Sequence, residues 1–137
     1  MNTNKILIAS LAGGVVHFVL GYLIWETAFG GFFASNTGSA TGLMKDPPVF
    51  WAIGIGSLAA GALLAVVYGR WASIKTFSMG ATAGAIIGFL LGLSYDFISF
   101  GTTNAMSLTA SVVDVVLSTI FMAVIGGVVG WTLGQVK

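Results

Sequence analysis

The sequence predicts an all-α, polytopic membrane protein with four transmembrane helices, and three observations carry that prediction. Four apolar runs of about twenty residues each, the length that spans a bilayer as a helix, divide the 137-residue chain. Charged residues make up 7% of it and hydrophobic residues 57%, where a soluble domain carries about 25% charged residues. The few charges fall at the ends of the runs rather than inside them. A chain with a mean hydropathy of +1.02 cannot cover itself with water, so a bilayer is the environment that accommodates it. The same composition excludes several classes of function. A net charge of +1 leaves no basic excess for nucleic acid, and a chain without cysteine forms no disulfide, thiolate zinc site or iron–sulfur cluster.

The first run, residues 6–25, follows Lys5 and contains one ionisable residue, His17. As a helix it is about 30 Å long, the thickness of the hydrocarbon core. It is longer than the apolar part of a usual signal peptide and no convincing small-x-small site follows it directly, so it reads as a retained helix. The second run, residues 49–68, is introduced by Asp46-Pro47-Pro48, and proline is tolerated there because the first helical turn lacks donor partners. The third covers residues 77–95 and the fourth residues 115–133. Residues 1–137 form one bundle on this reading.

Charge placement orients the bundle. Lys5, Arg70, Lys75 and Lys137 fall at the two termini and in the link between the second and third runs; Glu26, Asp46, Asp96 and Asp114 fall on the other side, with Lys45 the one base there. The positive-inside rule then places both termini in the cytoplasm. Trp71 and Trp131 sit near the inner interface on this reading, Trp25 and Trp51 near the outer one.

Sliding the sequence on itself by 71 residues pairs the stretch from Ala12 to Gly21 with that from Ala83 to Gly92, and a shift of 65 pairs Gly61 with Gly126 and Gly69 with Gly134. Halves 1–71 and 72–137 then read as a parallel two-helix repeat about an axis along the membrane normal, although glycine-rich apolar helices also align by chance. The glycines recur every four residues: Gly80, Gly84, Gly88 and Gly92 in the third run; Gly126, Gly130 and Gly134 in the fourth; Ser57, Gly61, Ala65 and Gly69 in the second; Ala9, Gly13, His17 and Gly21 in the first. Lipid supplies little hydrophobic force between helices, so such small-xxx-small ridges read as helix-packing seams. They lack the strand-turn-helix context of a phosphate loop.

His17 stands on the ridge of the first run where the self-alignment places Gly88. Two readings fit it: a functional polar point near the middle of the membrane, or a neutral ring hydrogen-bonded to a carbonyl, serine or threonine of an adjoining helix. Glu26, Asp96 and Asp114 lie at one level, about 30 Å from the inner surface by helical rise. They read either as an outer cluster that attracts cations through oxygen ligands or as ordinary flanking acids, with Asp114 complementing a helix N-terminus. Thr102, Thr103 and Asn104 follow the third run and are placed to bond those acids, and Tyr95 precedes Asp96. The phenylalanines of the loop after the first run, Phe29, Phe32 and Phe33, read as covering the bundle or resting in the interface. No Ser/His/Asp or Cys/His set is present, so neither a catalytic residue, a metal nor a cofactor is assigned.

Gly92-x-x-Tyr95-Asp96, Thr103-Asn104, Val113-Asp114 and Phe18-Val19-Leu20-Gly21 resemble bacterial four-helix membrane proteins grouped as a domain of unknown function. Members usually have an aromatic pair and serine where this chain has Trp25-Glu26-Thr27. The resemblance implies a four-span inner-membrane architecture and no activity. The residues leave two expectations. One is a non-enzymatic membrane protein that binds or passes a small solute or cation, with His17, Glu26, Tyr95, Asp96, Asn104 and Asp114 as its binding residues. The other is an accessory subunit whose glycine ridges pack against a larger membrane complex. The partners implied are the lipid bilayer and either further copies of the chain or another membrane protein.

Overall fold

A computed structural model describes the whole chain, Met1 to Lys137. It is all-helical, and four of its helices are long and apolar enough to cross a membrane. The first, α1 (Thr3–Gly21), starts at Asn2, whose side chain accepts from the Asn4 N–H at 3.0 Å and so satisfies one of the orphan donors of the first turn. It continues in wider π-helical turns over Tyr22–Ala28. A short helix, α2 (Gly30–Ser35), follows. The second long helix, α3 (Phe50–Val66), also widens at its end, over Val67–Ala72. Ser73, in the left-handed region at φ 52°, turns the chain into α4 (Phe77–Thr102), which Thr76 caps through the Met79 N–H. Ser107 caps α5 (Leu108–Gln135) in the same way, through the Ala110 N–H.

Successive long helices run antiparallel. Both termini and the short Ser73–Thr76 link share one end of the bundle, the terminal end; the two longer connections share the other, the loop end. The largest interface joins α4 to α5, the next joins α1 to α3, and α1 also packs along α5. This makes α5 the spine, with more buried residues than any other helix. Leu64, Tyr68, Ile125, Val129 and Leu133 form the most enclosed part of the core. The Tyr68 hydroxyl, fully buried, donates to the Gly80 carbonyl at 2.8 Å and so joins the end of α3 to the start of α4.

The helices outrun the apolar runs. Span one is Thr3–Ala28 rather than 6–25, span two Phe50–Ala72 rather than 49–68, span three Phe77–Thr102 rather than 77–95, and span four Leu108–Gln135 rather than 115–133. Hydropathy marks where a segment is apolar, whereas a helix continues as long as its polar side chains find partners. The Thr102 hydroxyl donates to the Ile98 carbonyl at 2.7 Å and the Ser111 hydroxyl to the Ser107 carbonyl at 3.1 Å, so the polar ends of α4 and α5 remain helical.

Glycine sets how closely the helices approach. On α4, a Cβ at Gly80 would overlap the Gly126 carbonyl, one at Gly84 the Met122 carbonyl, and one at Gly88 both the Ser118 carbonyl and the Met122 side chain. From α5, Gly126 meets the Gly80 carbonyl, Gly130 the Thr76 carbonyl and Gly134 the Lys75 carbonyl. Between α1 and α3, Gly61 lies against the backbone of Ser10 and Gly14, and Gly13 against Gly61 and Val129. Gly92 is looser, with the Ser118 Cβ at 3.2 Å, and Gly21 has only ordinary contact with Phe121 at 3.6 Å. Backbone-to-backbone approach of this kind maximises dispersion contacts where no hydrophobic force separates protein from lipid. Gly84→Ala is therefore expected to cost about 1–3 kcal/mol through overpacking, measured by denaturant unfolding in detergent. Gly56→Ala, at a site with open space around it, is expected to stay within about 0.5 kcal/mol. Equal effects at the two positions would refute this account of the seam.

Candidate functional site

Asp96 lies one turn beyond Gly92, on the face that α4 turns toward α5. The close approach of the two helices carries it inside: it is 1% exposed, and neither carboxyl oxygen has a hydrogen-bond donor. The group it meets is another acid. The Asp114 carboxyl of α5 faces it at hydrogen-bonding range and is the one charged neighbour acting on it. Asp114 is half-buried and its Oδ1 accepts from the Trp25 indole N–H. The three residues come from three helices, α1, α4 and α5, and meet near the loop end of the bundle.

Trp25 is also one wall of a cleft. Phe18, Tyr22 and Glu26 lie at successive turns of α1 and face Phe50 and Ile53 of α3, with Phe121 of α5 behind them. The space measures about 240 Å³, below the roughly 300–1,000 Å³ of sites for drug-sized ligands. His17 and Ser57 border it toward the middle of the bundle. The His17 Nδ1 and the Ser57 hydroxyl are 3.0 Å apart, and Ser57 is 2% exposed. The imidazole packs edge-on against Phe121, with ring centroids 4.7 Å apart, and Trp25 does the same from the other side at 4.9 Å. Phe121 thus separates a polar histidine below from a tryptophan and two acids above. Glu26 is exposed at the margin of the cleft and is its one formally charged lining residue.

The three acids expected at one level therefore divide. Asp96 and Asp114 are brought together, Glu26 serves the cleft, and no three of the chain's histidine, aspartate and glutamate side chains converge. Asp114 does not complement a helix start: Ser107 caps α5, and Asp114 sits almost two turns further in, because the helix begins before the apolar run does. The polar residues after α4 do not reach the acids either. The Thr103 hydroxyl bonds the Ser99 carbonyl, and the backbone carbonyl of Asn104, itself exposed, accepts from the Ala40 N–H at 3.0 Å. Here the two loops pair as short antiparallel segments: Gly38 N–H donates to the Ala105 carbonyl, Ser107 N–H donates to the Asn36 carbonyl, and a bridge joins Thr37 to Met106. Tyr95 is 74% exposed and does not join Asp96 in the seam. Phe29, Phe32 and Phe33 stack edge to face around α2.

Sequence reasoning missed Trp25, Tyr22 and Phe121 as site residues and placed Ser57 only on a small-residue ridge. The spacing of Phe18, Tyr22 and Glu26 at every fourth residue was the available signal, since it sets an aromatic and acidic ladder on one face of α1. Fold and site together define an α-helical bundle of membrane-spanning composition with a cleft and an acid pair near one end. Comparison with known proteins returned no match: no family model, no curated protein and no solved structure.

The indole N–H is the one donor to the acid pair. Trp25→Phe keeps an aromatic ring against Phe121 and removes that donor, and is expected to destabilise the bundle by about 1–3 kcal/mol, the cost of an unsatisfied acceptor. Unfolding in detergent followed by circular dichroism measures it, and an unchanged midpoint would show that the bond contributes nothing.

Proposed function

We propose that the chain is a non-enzymatic, multi-pass protein of the bacterial inner membrane that binds a small organic cation in the cleft between α1 and α3 and passes it along the bundle. One observation carries this reading: aromatic walls from Phe18, Tyr22, Trp25, Phe50 and Phe121 combine with a single charged lining residue, Glu26, and with a polar floor of His17 and Ser57. Aromatic faces and an acid attract a cation, a small cleft restricts its size, and the histidine–serine pair offers a hydrogen-bonding partner in mid-bundle. Organic cations suit the cleft better than a bare metal ion, because its lining is mostly aromatic and aliphatic rather than oxygen-rich.

In this reading the termini are cytoplasmic and the loop end faces outward, supported by four bases at the terminal end against four acids and Lys45 at the other. The halves 1–71 and 72–137 are taken as repeats. In support, the contact of Gly13 with Gly61 corresponds, under the shifts of 71 and 65, to the contact of Gly84 with Gly126. The alternative, an accessory subunit that docks onto a larger complex through its glycine ridges, would need those ridges free. Gly61, Gly80, Gly84, Gly88, Gly126 and Gly130 are all engaged within the chain, which favours the binding reading.

Tetraethylammonium added to the purified protein is expected to change tryptophan fluorescence saturably, and Glu26→Gln to weaken the apparent affinity roughly threefold, a modest factor because Glu26 is exposed and screened. An absence of saturable change in the wild type would end the reading. The chain has no cysteine, so Asn2→Cys and Ser39→Cys report orientation directly. In intact cells an impermeant maleimide is expected to label the second and spare the first, and the reverse pattern would invert the topology.

A further inference from the structure

The cleft does not use Asp96, yet Asp96 carries the only buried side-chain oxygens without a hydrogen-bond partner. It is 1% exposed with two oxygens that no donor reaches. A buried ionised carboxylate without a donor or a counter-charge is strongly disfavoured, so a neighbouring group has to relieve it. The groups around it are few. From α5 comes the Asp114 carboxyl. From α1 comes the Trp25 indole N–H, which goes to Asp114, with Glu26 exposed on the cleft side. On α4 itself the neighbouring Tyr95 is exposed. The lining of α3 nearest the cleft, Phe50 and Ile53, contains nothing ionisable. His17 lies deeper, beyond Phe121. No lysine or arginine takes part. Two carboxyl groups at hydrogen-bonding range are two acceptors, and they attract each other only when a proton lies between them.

We propose that Asp96 and Asp114 hold one exchangeable proton between them, and that Trp25 links its release to occupation of the cleft. The coupling rests on the cation-binding reading above; the shared proton stands on the geometry of the pair alone. With the proton in place the pair bears a single negative charge. The indole N–H holds the Asp114 Oδ1 as an acceptor, which leaves the rest of that carboxyl to share the proton with Asp96. When a cation enters beside Trp25, the proton leaves for bulk water at the loop end and the pair gains a second negative charge, which the bound cation offsets. One O–H bond breaks, and no electron transfer or further reactant is involved. Each bound cation is thus exchanged against a proton, so that binding is stronger at higher pH.

Infrared spectroscopy of the protein in lipid nanodiscs tests the shared proton. At neutral pH the wild type is expected to show the carbonyl stretch of a protonated carboxylic acid, shielded from exchange with deuterated water for longer than an exposed acid. Asp96→Asn, close to isosteric, should abolish it, Asp114→Asn should shift its frequency because the carboxylate that shares the proton is gone, and Glu26→Gln should leave it. A spectrum without that band, a band that survives Asp96→Asn, or one that Asp114→Asn leaves unshifted overturns the proposal. So does a carboxylate signal that shifts on adding sodium or calcium chloride, because the pair would then hold a metal cation. Coupling is read separately, by a pH indicator in weakly buffered detergent solution as tetraethylammonium is added. Proton release is expected from the wild type and not from Asp96→Asn, and Trp25→Phe should reduce the release while keeping the infrared band. Cation binding without proton release overturns the coupling and leaves the cleft reading intact. A band with the expected substitution pattern but no cation binding overturns the cleft reading and the coupling, and sustains the shared proton.

Discussion

The contact between α4 and α5 is the constraint on which the rest of the bundle depends. Gly80 and Gly84 face Gly126 and Gly130, and Gly88 faces Ser118 and Met122, so closely that a methyl group at Gly80, Gly84 or Gly126 would overlap a carbonyl of the other helix. Such an approach gains its stability from dispersion and from the absence of side-chain ordering, both of which operate when apolar surface can be buried equally well in lipid. It also fixes what lies beyond it. Asp96 follows the glycines on the same face of α4, so the two helices cannot close without taking its carboxyl inside and against α5. There the residue at matching height is Asp114. The burial of an acid is in this sense a consequence of glycine several turns away, and the pairing of two acids a consequence of antiparallel register.

The two hairpins illustrate what one side chain does to such a seam. The self-alignment places His17 over Gly88 and Ser57 over Met122. In the α4–α5 pair Gly88 lets the backbone of α4 reach Ser118 and Met122, and the seam stays closed up to Gly92 and Asp96. The α1–α3 pair has the same close contact lower down, at Gly13 and Gly61. An imidazole then takes the next position, bonded to Ser57 and packed edge-on against Phe121, and above it the helices leave a cleft where the other hairpin is solid. The histidine therefore acts as a wedge as well as a polar group. Its two sequence readings, functional point and hydrogen-bonded packing residue, are compatible, because the contact that satisfies the ring is also the floor of the cleft.

Much of the fold could be read from the sequence because its determinants are local. Apolar runs of bilayer length identify helices without reference to any partner, and glycine every fourth residue marks one face. Helix ends were less legible, since they depend on caps and on hydroxyls that bond back to the preceding turn, as at Ser107, Ser111 and Thr102. Asp96 and Asp114 could be placed at one height by counting residues, but counting gives no azimuth, and Glu26, at the same height, faces elsewhere. Trp25 was obscured for a different reason. A tryptophan at the end of an apolar run fits an interfacial belt, and only the third dimension reveals that its N–H turns inward to an acid on a helix 89 residues away in sequence.

The indole has one N–H, and its use here excludes the ordinary solution to a buried acid. A lone carboxylate at this depth would be relieved by an arginine or lysine, and the chain holds all but one of its bases at the far end. Placing a base among the acids would neutralise them and would also weaken the charge asymmetry between the two ends of the bundle. A tryptophan donor avoids both consequences: it is neutral, it is at home near an interface, and it satisfies a single oxygen. Three carboxyl oxygens remain without a donor, and a proton is the one cation small enough to serve two of them without opening the α4–α5 seam. The scarcity of charge that makes this chain a membrane protein thus also dictates the form its acid site takes.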